Sequence, residues 1–575
     1  MRLMGTASAA GWAWAVAGFT CLVLTYADLS GYRLDQPELW TSLDYFAFEF
    51  ELGRYYALNA FAGVAIALGA SVVRTTSSAG ILAVLGLLGL WPIALTGHAA
   101  GALDHDIAVN SQAFHLVGTS VWLGGLVALL YAAPFLGNLS TAVRRYSALA
   151  FWCFALVAFS SLLNSVIRVE AWSLLVSPYG AVLLAKVAIL ATLMLAGGAQ
   201  RKQVAAKLDA GDTKAFRWLG ISEAAIMAVA MGLGVALGRM APPTGYDLQP
   251  VNTVESLVYF SMPKPLDWPG GWITTWRPDA LWLPIAAVAV TWYLMAVVRL
   301  RRRGDQWSHG RTAAWLLGWA LLTWATSGAP GVYGKIMFSM HMVQHMTVAT
   351  AVPVFLALAG PVTLILRSTS ARKDGSRGVR EWVLTALHSP YMQILSHPLV
   401  SAALFIVSLI AFYYSGVFEW SLRSHSGHVF MVAHFLLVGY LFANCVVGVD
   451  PGPTRPAYPM RVLLTMVVFA YHSLFSVSLM SADNILATSW FKLVQAPWVE
   501  SLADDQRLGA SIGWALGEYP LAIIFGALIW QWFRHDRAEQ RRLDRKADRD
   551  GDSERAAYNE YLKALQSHHD ARDPD

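Results

Sequence analysis

The chain has 575 residues, of which 56% are hydrophobic and only 14% charged, with a formal net charge of +5 and a mean hydropathy of +0.46. Soluble domains run nearer a quarter charged, so an ordinary water-soluble globular protein is excluded, and so small a charge excess does not point to nucleic acid. The cysteines Cys21, Cys153 and Cys445 all lie in apolar runs with no CxxC pair, which argues against a disulfide scaffold or a thiolate zinc site.

Apolar runs recur from end to end, each long enough to cross a hydrocarbon core of ~30 Å. Only helices satisfy their own backbone groups there. The expectation is an all-α polytopic membrane protein with about fourteen spans in two seven-helix bundles. The first seven are expected at roughly 8–28, 56–74, 80–99, 112–136, 147–167, 179–198 and 217–238. The apolar stretch after "MRLMGT" is too long for a signal peptide's core and is expected as an uncleaved span. Ala241 to Trp272 is rich in Pro and Gly and reads as an extracytoplasmic connection. The other seven spans are expected at roughly 280–299, 312–328, 336–366, 398–417, 429–448, 461–481 and 510–533. The tenth is long enough to tilt or to break near Pro353 or Pro361. The domains are therefore expected as 1–240, a linker 241–275, 276–535, and a charged tail 536–575 that is a solvated helix or a disordered end.

Four Arg/Lys-rich connections fall on one side if the spans alternate: around Arg144, around Arg201 to Arg217, Arg299 to Arg311, and Arg367 to Arg380. The acidic stretch Ala27 to Arg54 and the segment Gly101 to Asp106 fall on the other. The positive-inside rule then puts both termini in the cytoplasm. A bacterial plasma (inner) membrane is the expected location.

In the first half, His98 lies at the outer end of span three, His105 in the outer loop between Asp104 and Asp106, and His115 just inside span four. Lys186 sits in mid-helix, where it needs a partner or a water path, and Glu223 lies nearer the cytoplasm. Gly124 and Gly125 are expected to allow close helix approach. His98, His105 and His115 are candidates for gathering a metal ion at an entrance, although a loop histidine such as His105 is as readily explained by solvation.

In the second half, "MFSMHMVQHM" runs from Met337 to Met346. His341 and His345 are i and i+4, so they share a helix face about 6 Å apart along the axis, with Met337 one turn earlier. His434, His472 and Glu518 fall at similar depths in three other spans, and His425 and His428 at the outer mouth of span twelve. Ionisable groups in hydrocarbon normally face partners or a cavity. One such histidine is most simply a hydrogen-bonded packing residue; several in one layer suggest a shared ligand. Imidazole suits Cu, Zn and Fe, and thioether shifts the choice toward Cu(I). The candidate metal residues are thus His341, His345, His434, His472, Met337 and Glu518, with His98, His105 and His115 in the first half. Met340, Met342 and Met346 scatter round the helix, and Met is an ordinary filler of apolar cores.

Two resemblances sharpen this reading. His115 followed by "VWLGG", then "YG…LLAK" and "E…APP", resembles the CopD family of copper-resistance and copper-uptake membrane proteins over roughly residues 50–245. "SMHMVQHM", "AVPVFLALAGPV", "AHFLLVGYLF…GVDP", "YHSLFSVSLM" and "DQRLGASIGWALGEYP" resemble the CtaG-type cytochrome c oxidase assembly factors over roughly residues 280–535. The first resemblance implies copper passage from outside. The second implies supply of copper to a haem–copper oxidase, with its subunits or another copper chaperone as partners. A b-type haem held between histidines of two helices is the competing cofactor, and a metal-free scaffold for oxidase assembly is a third reading. No enzyme is expected: no nucleophile lies beside a base, and "HMVQH" carries Gln344 where a zinc protease needs Glu.

Overall fold

The structure, a computed structural model, describes residues 2–96, 104–167, 175–209, 212–240, 253–452 and 456–570. All regular secondary structure among the described residues is helical. The protein is a multi-pass membrane protein: twelve described helices are long and apolar enough to cross a bilayer, and a thirteenth span arises if one bent pair is counted as a single span. The expected count of about fourteen is lowered at the ninth span. A helix does form there, His309–Ser327, but it is not among those apolar enough to qualify. Its tryptophans Trp315, Trp319 and Trp324 and its polar ends dilute the aliphatic content. The chain divides into two compact units, Met1–Pro265 with Pro278–Ile285, and Leu266–Arg277 with Ala286–Asp575. Residues 241–252 of the expected connection lie outside the described residues.

In the first unit, helices Arg2–Ser30 and Glu51–Val72 pack through small residues. A Cβ on Gly11 would come within 2.6 Å of the Ala67 backbone, and one on Gly63 within 2.6 Å of the Ala15 backbone. Between lipid-facing helices such close approach supplies the van der Waals contact that the hydrophobic effect cannot. Helices His105–Ala132 and Leu139–Val166 meet at Gly118, which faces Val157. The expected close approach at Gly124 does not occur, since a Cβ there meets nothing within 4 Å, and Gly125 faces only the Tyr146 ring. The glycine that meets the neighbouring backbone is Gly118, at the Cys153 carbonyl, two turns before Gly125 on the same face.

In the second unit the expected tenth span is broken at the prolines. Helix Phe338–Met346 passes into a π-helical segment, Thr347–Ala351, then helix Val352–Ala359. Pro353 has no N–H to give the Ala349 carbonyl, and a widened turn at that point is the usual adjustment. Gly360 then adopts a left-handed conformation (φ +65°) and starts helix Pro361–Ser368. The Asp450 carboxylate accepts the backbone N–H groups of Val362 (2.9 Å) and Thr363 (2.7 Å), capping that helix across the fold. The eleventh span is also broken: Pro398–Tyr413 and Gly416–Arg423 are bent by 71°. Helix Leu502–Asp550 runs unbroken from the bundle into the charged tail, which is an exposed helix, as is Ser553–Asp570.

Candidate metal centre

Helix Phe338–Met346 is fixed at its first turn by an acid from elsewhere in the chain. Asp505 accepts the Phe338 N–H at 2.7 Å and the Ser339 hydroxyl at 2.5 Å, and it is buried. A carboxylate on the open N–H groups of a helix start satisfies donors and complements the dipole. At the other end, Thr347 and Thr350 return their hydroxyls to the carbonyls of Val343 (2.7 Å) and Met346 (2.6 Å), stabilising the wide turn.

Between these anchors His341 and His345 are each 1% exposed, with ring centroids 6.2 Å apart and planes inclined by 17°. Aromatic rings enclose them. Phe418 lies 4.8 Å from His341, Phe435 4.0 Å from His345, and Phe412 and Tyr413 stand beside both. Neither ring nitrogen of either histidine meets hydrogen-bond geometry with a partner. His472, 2% exposed, enters from helix Tyr458–Met480. Its Nε2 lies 3.1 Å from the Met346 sulfur and its Nδ1 has no hydrogen-bond partner. The Tyr413 hydroxyl donates to the Met342 sulfur at 3.1 Å. Buried polar atoms are normally satisfied, and five nitrogens on these three rings have no hydrogen-bond partner among the described residues. Among the described residues, however, no three His, Cys, Asp or Glu side chains converge as a ready-made metal site. The soft donors come instead as pairs.

The other expected ligands take outlying positions. His434 is half-buried and stacks on the exposed Phe430 (5.4 Å, 18°). Its neighbour Phe435 faces His345, and successive helix residues point about 100° apart. Glu518 is turned away for the same reason: Gly517 faces His472, while Glu518 accepts the Ser473 hydroxyl at 3.2 Å. Met337 is half-buried at the N-cap. In the first unit His98 lies outside the described residues. His105 is buried at a helix start and stacks on Tyr259 (4.6 Å, 27°), so the reading of it as a solvated loop histidine is corrected. His115 bonds Ser160 (3.2 Å) through Nδ1. Glu223 accepts the Trp122 indole N–H at 3.2 Å and borders a cavity of about 270 Å³, while the Lys186 amine lies by Gly234.

Sequence reasoning passed over Met346, Met342 and Asp505, and with them the glycines of "LGASIGWALG". Gly509, Gly513 and Gly517 recur every fourth residue of helix Leu502–Asp550 and so share one face. A Cβ on Gly509 would meet Phe338 (2.6 Å), one on Gly513 the Met342 methyl (2.5 Å), and one on Gly517 the His472 ring (2.5 Å to Nδ1). That four-residue spacing was the available signal.

The centre is closed at the end expected to face outside. The short helices Gly416–Arg423 and Thr488–Val494 lie over it, contributing Phe418 and Phe491. Glu419 joins them, accepting the Ser489 hydroxyl (2.5 Å) and pairing with Arg423 (2.5 Å). The Trp490 indole donates to the Lys335 carbonyl at 2.8 Å.

Residues 291–535 match the family described as cytochrome c oxidase caa3 assembly factor, and residues 140–237 match copper resistance protein D. The chain joins a CopD segment to a Caa3_CtaG segment. The CtaG segment holds every residue of the centre just described. The CopD match begins after His105, His115 and "VWLGG", so it covers Lys186 and Glu223 but not the histidines of the first unit. Uncharacterized protein Mb0105 of Mycobacterium bovis is 41% identical over 295 residues, 51% of this chain and 45% of its own. Uncharacterized protein ML1998 of Mycobacterium leprae is 40% identical over 294 residues, 51% of this chain and 45% of its own. Copper transport protein CutJ of Bacillus subtilis is 30% identical over 111 residues, 18% of this chain and 20% of its own. The chain thus spans less than half the length of the mycobacterial relatives. No solved structure matches it.

Proposed function

We propose that this CopD–CtaG protein handles copper in a bacterial plasma membrane. In this reading the CopD segment receives or imports the ion, and the CtaG segment holds it as Cu(I) on the way to cytochrome c oxidase assembly. The observation that carries the proposal is the buried group of His341, His345 and His472 rings, with unsatisfied nitrogens, beside the Met346 sulfur. An unsatisfied buried polar atom costs about 1–3 kcal/mol, and a soft cation would recover that cost. Imidazole with thioether suits Cu(I), which accepts low coordination, better than metals that need four or six hard ligands. The 6.2 Å between the His341 and His345 centroids fits one ion between two nitrogens at bonds of ~2.0 Å each. The aromatic enclosure supports an ion over haem, because Phe435 and Phe418 lie too near the imidazoles to leave a slot a macrocycle wide.

Copper content of the purified full chain, measured by mass spectrometry, tests the proposal. The wild type should retain copper and show no Soret band, and the His341→Ala/His345→Ala variant should lose copper. Equal copper in both proteins, or a haem spectrum, would overturn it.

A further inference from the structure

Helix Trp282–Arg302 is divided along its length. Tyr293, Ala296, Val297 and Leu300 form its buried face. The opposite face carries Thr291, Leu294, Met295 and Val298, at i, i+3, i+4 and i+7, and all four are exposed. That stripe rises about 10 Å, most of the ~15 Å depth of one leaflet. The same face then continues into Arg299 and Arg302, with Arg303 just past the helix end. Together these residues border an open groove of about 670 Å³.

The guanidinium groups of the groove lack an acidic counterpart. Among the described residues, the side chains of Arg302 and Arg303 have no ion-pair or hydrogen-bond partner. Asp305, the next acid along the chain, is paired with Arg367 at 3.4 Å. Arg299 reaches only the Ser368 carbonyl, at a long 3.4 Å. One helical turn, about 4.5 Å, separates Arg299 from Arg302. A single phosphate can therefore meet both, and the planar guanidinium fork matches phosphate oxygens two at a time.

We infer that this groove binds one anionic phospholipid from the leaflet at the Arg-rich end of the helix, the end expected to face the cytoplasm. Its phosphodiester sits among Arg299, Arg302 and Arg303, and an acyl chain runs along Val298, Met295 and Thr291. Both parts of the groove are needed to name the ligand. Free phosphate would meet the arginines but gain nothing from the apolar stripe. A zwitterionic lipid would cover the stripe but bring its own cation against three arginines. The lipid site stands apart from the copper reading and does not depend on it.

The test is native mass spectrometry of the full chain in detergent, with phosphatidylglycerol or phosphatidylcholine added. The wild type should retain one phosphatidylglycerol and about tenfold less phosphatidylcholine. Arg302→Gln/Arg303→Gln should weaken phosphatidylglycerol retention roughly thirtyfold, the effect of two arginines near an anionic surface. Arg541→Gln/Arg542→Gln, which removes the same charge from the exposed tail helix, should leave retention unchanged, and excess inorganic phosphate should not displace the lipid. Equal losses in the two arginine variants, or displacement by inorganic phosphate, would overturn the site. Equal retention of the two lipids by the wild type would overturn it without any variant.

Discussion

Replacing Gly517 with Ala tests the geometry of the His472–Met346 pair with a single methyl group. The added Cβ would lie 2.5 Å from His472 Nδ1 and 2.9 Å from Nε2, against an ordinary contact of at least 3.4 Å. The nearest ring atom is Cε1, and contact distance at Nδ1 alone already requires the ring, or the helix, to move by at least about 0.9 Å, the difference between 3.4 and 2.5 Å. A shift of that size breaks the 3.1 Å contact between His472 Nε2 and the Met346 sulfur. Overpacking of this kind costs about 1–3 kcal/mol of fold stability, so thermal unfolding of Gly517→Ala in detergent should shift clearly downward. Scanning calorimetry of the detergent-solubilised protein would read the loss as a lower unfolding temperature. Gly526→Ala is the control, since a Cβ there, nine residues along the same helix, meets nothing within 4 Å. If Gly517→Ala unfolds like Gly526→Ala, the argument that Gly517 sets the position of His472 is wrong.

Asp505→Ala removes the acceptor for the Phe338 N–H and the Ser339 hydroxyl; at ~1.5–3 kcal/mol for each hydrogen bond to a charged group, thermal unfolding in detergent should shift clearly downward, and Asp505→Asn should recover only part of the loss. Gly439→Ala places a Cβ against the Ala349 carbonyl and 2.7 Å from Pro353 Cγ; about 1–3 kcal/mol of destabilisation is expected, and an unchanged melting temperature would show that the π segment yields easily. In the first unit, Glu223→Gln keeps an acceptor for the Trp122 indole, whereas Glu223→Leu strands a donor at a cost of about 1–3 kcal/mol; equal stability of the two variants would mean that water serves the indole.

Much of this organisation was legible in the sequence, because hydropathy and helix length dictate spans regardless of neighbours. The interruptions near Pro353 and Pro361 and the i, i+4 histidines followed from local rules. Depth along a helix does not say which way a side chain points. His434 and Glu518 were therefore expected at the centre, while Phe435 and Gly517, one position away, face it. Met346 was indistinguishable from its neighbouring methionines until the partner helix was placed. The 71° bend after Tyr413 falls at Ser415–Gly416, a Ser-Gly turn signal that the expected single span to 417 ran over, and with it the cap that brings Phe418 over His341. His309–Ser327 shows the opposite limit, a helix where one was expected but too rich in tryptophan to count as a span by apolarity.

The unsatisfied imidazoles have a thermodynamic corollary. Five ring nitrogens without a hydrogen-bond partner among the described residues cost fold stability, and an ion bound only by the folded chain would add its binding free energy to that stability by mass action. Cargo and scaffold are then coupled. Under the proposed copper binding, the CtaG segment should loosen without metal and become easier for proteases to attack.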